Sequence, residues 1–198
     1  MRPLLICGTR TFAVEVADLA SDVPGVEVAG FVENEDRARC AETLEGLPIH
    51  WVDDLADLAA THSAVCALAT THRSRFTDQV AALGMPFATL VHPTAHVSRT
   101  STLGEGTIVS PGAIVGARTA IGRHCILNRA VLVGHHTEVG DHCTLNPGAN
   151  VAGRTRLAGK VFVGMGAKVL GELEIGPGAV VGAGAVVTRS VEERAVVM

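Results

Sequence analysis

The residues of this chain best suited to chemistry are its nine histidines, because imidazole takes up and releases a proton near neutral pH. Two are adjacent: His135 and His136 directly follow Gly134. An imidazole so placed can serve as a general base, although on spacing alone either fits equally well as a turn residue. His124 and His142 are eighteen residues apart, a spacing open to a metal pair but better suited to a solvated column of turn residues. His92 and His96 read as packing or capping residues, and His50, His62 and His72 as surface or loop residues. No metal is expected, because these spacings do not assemble a ligand set. A second feature is a column of small residues at eighteen-residue intervals: Gly112, Ala130, Gly148, Gly166 and Gly184. Either a corner there demands glycine, or a slot is left where backbone groups meet an extended ligand.

The elements that position these residues follow from a second period. From Val97 to Val187 every sixth residue is Ile, Leu or Val, sixteen times without an insertion. At a background frequency of about one third, chance gives this on the order of once in 10⁷ to 10⁸. Gly or Asn often follows, as at Gly104, Gly116, Asn128, Gly134 and Asn146, and a small residue often stands two positions before. Neither a helix nor an alternating strand repeats every six residues. A short strand closed by a tight turn does, with Gly or Asn at the permissive corner. Such hexads build parallel β-helices, three to a coil, so residues eighteen apart stack and sixteen hexads make about five coils.

Residues 1–90 have no such repeat. Apolar runs at Leu4–Cys7, Val26–Val32, Pro48–Val52, Val65–Ala69 and Phe87–Val91 read as strands. Between them Phe12–Ala20, Arg37–Leu44, Asp54–Ala60 and Arg73–Leu83 read as helices. The alternation predicts a Rossmann-like α/β domain over residues 1–90, followed by the all-β domain over 91–198.

Composition fits this division. Aromatic residues are only 3% and tyrosine is absent, as expected for a core of stacked aliphatics. Residues 1–90 carry 6 basic and 13 acidic side chains, and residues 91–198 carry 10 and 7. The second half offers no basic stripe or aromatic platform, so nucleic acid is not expected as a partner. Five cysteines without a C-x-x-C pair read as reduced and buried in a cytoplasmic protein. No signal peptide is recognisable at the N-terminus, and the longest uncharged stretch is broken by glycine and proline, so no membrane span is expected.

The repeat [LIV]-G-x-x-x-x resembles that of the left-handed β-helix acyltransferases. The two-part layout is similar to that of the sialic acid O-acetyltransferases and the bacterial nucleotide-amino-sugar N-acetyltransferases. The likeness is carried by Val91-His92-Pro93-Thr94-Ala95, Leu127-Asn128, Val133 to Gly140, Val151-Ala152-Gly153 and Gly182-Ala183-Gly184-Ala185-Val186-Val187-Thr188. The downstream G-x-P-A segment usual in that family does not follow Val196-Val197, so the sequence reads as truncated or short. The resemblance implies acetyl-CoA as co-substrate, a nucleotide-linked amino sugar as acceptor, a homotrimer, and no metal. It selects His135 as the base and brings in Asn128 as a substrate-binding neighbour. The family's orienting acid falls on His136, leaving Glu138, Asp141 or a backbone carbonyl to orient His135. A second family histidine falls on Thr144, which can still donate a hydrogen bond to the cofactor. Cofactor contacts are further implied at Gly153, Met165, Gly166 and Ala183, which favours a CoA groove along the small-residue column. In the first domain Gly8-Thr9-Arg10-Thr11 and Glu33-Asn34 fall where the family binds the nucleotide, although G-x-G-x-x-G is missing and one of two expected acids is replaced by Asn34. Alternatives are O-acetylation of a sugar such as sialic acid, acylation of a non-sugar amine, a non-catalytic β-helix for assembly or binding, and a zinc lyase. The last is disfavoured because the H-x-x-x-x-H pair of the zinc enzymes sharing this fold does not occur.

Overall fold

A computed structural model describes residues 2–198, and the chain divides into two compact units, Met1–Leu90 and Val91–Met198. The first unit is a five-stranded sheet. Its strands are β1 (Leu4–Cys7), β2 (Val28–Glu33), β3 (Thr43–Leu44), β4 (Leu47–Trp51) and β5 (Ser63–Cys66), in the order β3-β4-β2-β1-β5. β4, β2, β1 and β5 run parallel, whereas β3 is antiparallel to β4, so the sheet is mixed. Helices α1 (Thr11–Ser21) and α2 (Ser74–Ala82) bury Val16, Leu19, Phe76 and Val80.

Two expected helices do not form. Arg37–Leu44 becomes a 3₁₀ turn over Arg37–Ala41 and then strand β3. The reason lies just beyond it: Glu45 and Gly46 both have positive φ, 50° and 75°, which makes a two-residue hairpin turn that pairs Leu44 with Leu47. Asp54–Ala60 holds only the end of a 3₁₀ turn over Val52–Leu55 and then hydrogen-bonded turns, because so short a segment gains little from an α-helical ladder. Phe87–Val91 likewise narrows to a two-residue strand, Leu90–Val91, with a single bridge at Phe87.

The second unit is a parallel β-helix of two-residue strands on three sheets. Face one holds His96–Val97, Ile114–Val115, Leu132–Val133, Asn150–Val151, Lys168–Val169 and Val186–Val187. Face two holds Thr102–Leu103, Ala120–Ile121, Glu138–Val139, Arg156–Leu157 and Glu174–Ile175. Face three includes Ile108–Val109, Ile126–Leu127, Thr144–Leu145, Phe162–Val163, Val180–Val181 and Val196–Val197. Each strand pairs with the one eighteen residues on, as Val115 with Val133 and Leu127 with Leu145. The second residue of each strand points inward, so Val109, Val115, Ile121, Leu127, Val133, Val139 and their successors form one continuous core. The last coil is shorter: Val191 pairs with Ile175, and Val197 with Val181.

Beside this aliphatic stack runs a polar ladder. Ser101, Thr107, Thr119, Thr137 and Thr155 each donate a side-chain hydrogen bond to the carbonyl fifteen residues ahead, at 2.6–3.2 Å. Cys125 and Cys143 fill the same slots and donate their thiols to Gly140 and Ala158. None of the five cysteines is joined in a disulfide. Two of them therefore do more than fill space, because they satisfy corner carbonyls that a purely apolar side chain would leave unpaired.

Candidate active site

From Gly106 to Gly184 every sixth residue takes a left-handed φ, once at each corner. Between faces one and two these residues are Arg118, His136, Arg154 and Glu172, with φ of 55–63°. His135 immediately precedes this position. Its carbonyl accepts from Arg154 N (2.8 Å), and His136 N donates to Ala117 O (2.9 Å), so the backbone of the pair is tied to the coils before and after it. Above His135 stands Gly153: a methyl there would lie 2.9 Å from imidazole Cε1 and Nε2 and 3.1 Å from Nδ1. The missing side chain leaves room for the ring.

The imidazole of His135 is exposed and its Nδ1 stands 3.0 Å from Nδ1 of His136, with the rings nearly perpendicular at 87°. Partial loss of water, then His135, Arg118 and Arg154, hold the His136 pKa below the ordinary histidine value. Arg154 also pairs with Glu172 at 3.2 Å. Neither acid considered from sequence as the partner of His135 fills that role. Glu138 lies on face two, 3.6 Å from Arg156. Asp141 sits at the next corner and accepts from Arg123 N, Nε and Nη2 at 2.7–3.1 Å. Burial raises the Asp141 pKa, but the hydrogen bonds and charge of Arg123 outweigh it and hold the carboxylate below its usual range. The partner of His135 is His136. Sequence reasoning also passed over Arg118 and Arg154, although their spacing of eighteen on either side of His136 marks them as neighbours.

The small-residue column occupies a different corner, between faces three and one. Gly112, Gly148, Gly166 and Gly184 have φ of 66–71°, and Ala130 has 55°. A methyl added to Gly166 or Gly184 would meet nothing within 4 Å. The same backbone conformation carries Arg, His or Glu between faces one and two, and His or Lys as well as Gly106 and Gly178 at the third corner, so the turn by itself does not demand glycine. Met165 stands exposed beside Gly166, its carbonyl accepting from Gly184 N at 2.8 Å. Ala183 occupies the equivalent place one coil later. Asn128 belongs to this corner as well, buried, with its Oδ1 accepting from Arg129 N at 2.7 Å. Thr144 lies on face three with its side chain fully buried. Within one chain, then, His135, His136 and Gly153 share one edge of face one, while Asn128, Met165, Gly166 and Ala183 share the other.

His124 and His142 stack at the third corner with centroids 5.1 Å apart. They are buried (7% and 9% exposed) rather than solvated. Among the described residues no group of three or more His, Cys, Asp or Glu side chains converges as a metal site.

In the first unit the end of β1 leads into Gly8, whose φ is 124°. The hydroxyl of buried Thr9 donates to the Glu33 carboxylate at the end of β2. That carboxylate also accepts from Asn34 N (2.8 Å) and Glu35 N (2.9 Å). Burial raises the Glu33 pKa, but these hydrogen bonds outweigh it and the net shift is downward. Arg39 donates to Thr9 O at 2.9 Å, and the Asn34 amide donates to Gln79 at 2.7 Å. Arg10 and Thr11 open α1 and are exposed. Thr9 and Glu33 thus brace two strand ends, and Arg10, Thr11 and Asn34 lie around them.

No protein-family model matches the chain, and no curated protein matches it by sequence. Solved structures do match. A mutant perosamine N-acetyltransferase from Caulobacter crescentus, in complex with CoA and GDP-perosamine, superposes with a TM-score of 0.90 at 27% identity, covering 98% of this chain and 92% of that one. The acetyltransferase domain of PglB from Neisseria gonorrhoeae, in complex with acetyl coenzyme A, gives 0.88 at 28% identity over 98% and 95%. WeeI from Acinetobacter baumannii gives 0.90 at 25% identity over 100% and 97%.

Proposed function

We infer that this chain, built as a hexapeptide-repeat bacterial sugar acetyltransferase, moves an acetyl group from acetyl-CoA to the amine of a nucleotide-linked sugar. The observation that carries this reading is whole-chain similarity to structures that hold CoA with GDP-perosamine and, separately, acetyl-CoA. The β-helix is read as left-handed on the same grounds. The strand order β4-β2-β1-β5 supports a Rossmann-like nucleotide site at the carboxyl ends of β1 and β2. There Gly8, Arg10, Thr11 and Asn34 would face the nucleotide, with Thr9 and Glu33 fixing the two strand ends.

In the mechanism His135 takes the proton that the amine nitrogen sheds as its lone pair forms the C–N bond to the thioester carbon. The carbonyl oxygen becomes an oxyanion, held by a backbone amide of the β-helix. Collapse breaks the C–S bond, and the leaving thiolate takes the proton held by His135, which gives CoA-SH and restores the neutral base. The bare corner at Gly148, Gly166 and Gly184 suits an extended cofactor lying against backbone, with Met165 and Ala183 as its contacts; Thr144, expected as a hydrogen-bond donor to it, is buried away from that surface.

Because His135 and that corner stand on opposite edges of face one, the site is completed by a second copy of the chain. Ile114 and Leu132, exposed neighbours on that face, support such contact. A homotrimer places three sites between three copies. Acetyl-CoA and nucleotide sugars are cytoplasmic metabolites and no disulfide joins the cysteines, which supports a cytoplasmic enzyme. No helix among the described residues is long and apolar enough to cross a membrane.

The test is thiol release from acetyl-CoA across UDP-, dTDP- and GDP-linked amino sugars. Turnover on one or more is expected; turnover on none, with acetylation of a free sugar hydroxyl instead, overturns the acceptor class.

A further inference from the structure

We propose that His136 is a positioning residue whose Nδ1 accepts a hydrogen bond from Nδ1–H of His135, fixing the tautomer that leaves the lone pair on His135 Nε2. The proposal rests on the reading of His135 as the base. It begins from the contact itself: two ring nitrogens 3.0 Å apart require one donor and one acceptor, because two lone pairs or two protons would repel. If His135 is to take a proton at Nε2, its own proton sits on Nδ1 and His136 must be the acceptor. His136 then carries its proton on Nε2.

The surroundings keep His136 able to accept. Arg118 and Arg154 flank it along the corner, and His135 is its neighbour; all three disfavour a proton on it. Glu172, the nearest acid on this row, is paired with Arg154, and Glu138 on face two is paired with Arg156. These surroundings shift His136 toward its neutral form relative to a free histidine. When His135 becomes imidazolium, its Nδ1–H still points at a neutral acceptor. An acid in this place would orient the ring and also attract the imidazolium charge. His136 orients the ring without adding that charge.

Three variants at one backbone position separate the effects. His136→Asn retains an acceptor oxygen and tolerates a left-handed φ, His136→Ala removes the acceptor, and His136→Glu adds charge. The expected result is kcat within a few-fold of wild type for H136N and about tenfold lower for H136A, with unchanged affinity for CoA. H136E is expected to raise the acid limb of kcat/KM by about one pH unit, because the carboxylate favours protonated His135. Nitrogen-15 NMR of the imidazoles in acceptor-free protein gives a readout independent of turnover. His135 should be the Nδ1–H tautomer in wild type and H136N, a mixture in H136A, and should titrate higher in H136E. A wild-type His135 protonated on Nε2, or equal kinetics and titration in all three variants, overturns the proposal. If His135→Ala itself retains full turnover, the assignment of the base falls instead.

Discussion

Two corners of the same β-helix share one backbone conformation and differ in what they carry. Between faces one and two, positive-φ positions bear Arg118, His136, Arg154 and Glu172; between faces three and one, they bear glycine or alanine. Were glycine needed to turn the corner, both would have it. That long side chains occupy one row without a break separates what folding requires from what the surface is for. The decorated corner carries imidazole, guanidinium and carboxylate groups, and the bare one leaves its backbone uncovered. The third corner is mixed: Gly106 and Gly178 stand in one row with His124, His142 and Lys160.

The contrast can be broken at several points. The largest effect is expected at the decorated corner: His135→Ala should lower kcat about a thousandfold while circular dichroism and oligomeric state stay unchanged. A folded variant with wild-type turnover would empty that corner of its role. Next is Gly153→Ala. The added methyl would fall 2.9 Å from the imidazole, so the ring must swing away, and kcat should fall ten- to a hundredfold. Thermal melting should barely change. At the bare corner Gly166→Gln should raise KM for acetyl-CoA roughly tenfold with kcat little altered, because the side chain projects into the groove rather than toward the base. Its cost in stability should be about 1 kcal/mol, that of a non-glycine residue in the left-handed region. An unchanged KM would mean that the bareness serves something other than cofactor. Smallest is Arg123→Ala at the third corner, which removes an exposed pair with Asp141. It should cost under about 1 kcal/mol and leave both kinetic constants in place, as thermal melting and steady-state assays would record.

Much of the β-helix could be read directly from the chain, because a six-residue period has few structural solutions and the aliphatic positions are inward by necessity. Gly153 was marked only through the family resemblance, and the fold sets it one coil from His135. What the repeat could not supply was ring direction. Whether His135 turns toward Glu138, Asp141 or His136 depends on side-chain geometry at a left-handed corner, and both acids were drawn off by arginines one coil away. The ladder of Ser, Thr and Cys escaped notice because "small" was the visible property, whereas the hydrogen bond to the carbonyl fifteen residues ahead is what the position uses. In the first unit the helical periods of Arg37–Leu44 and Asp54–Ala60 misled, since Glu45-Gly46 set the local geometry and the segments were too short for propensity to decide. Glu33 was marked as a ligand contact; its hydrogen bonds to Thr9, Asn34 and Glu35 make it first a brace.

The pairing of each strand with the one eighteen residues on, tightened by bonds from each ladder residue to a carbonyl fifteen ahead, makes position along the chain a phase. As far as Val187, before the shorter last coil, a residue's remainder on division by eighteen tells which edge or face it occupies. Substitution changes what stands at an address; a one-residue insertion changes every address after it. Such a chain can exchange most of its side chains and keep its shape, in line with a TM-score of 0.90 at 27% identity. A single added residue between His135 and Gly153 would turn the space above the imidazole to the wrong side of the coil. For this architecture the quantity under strictest control is length.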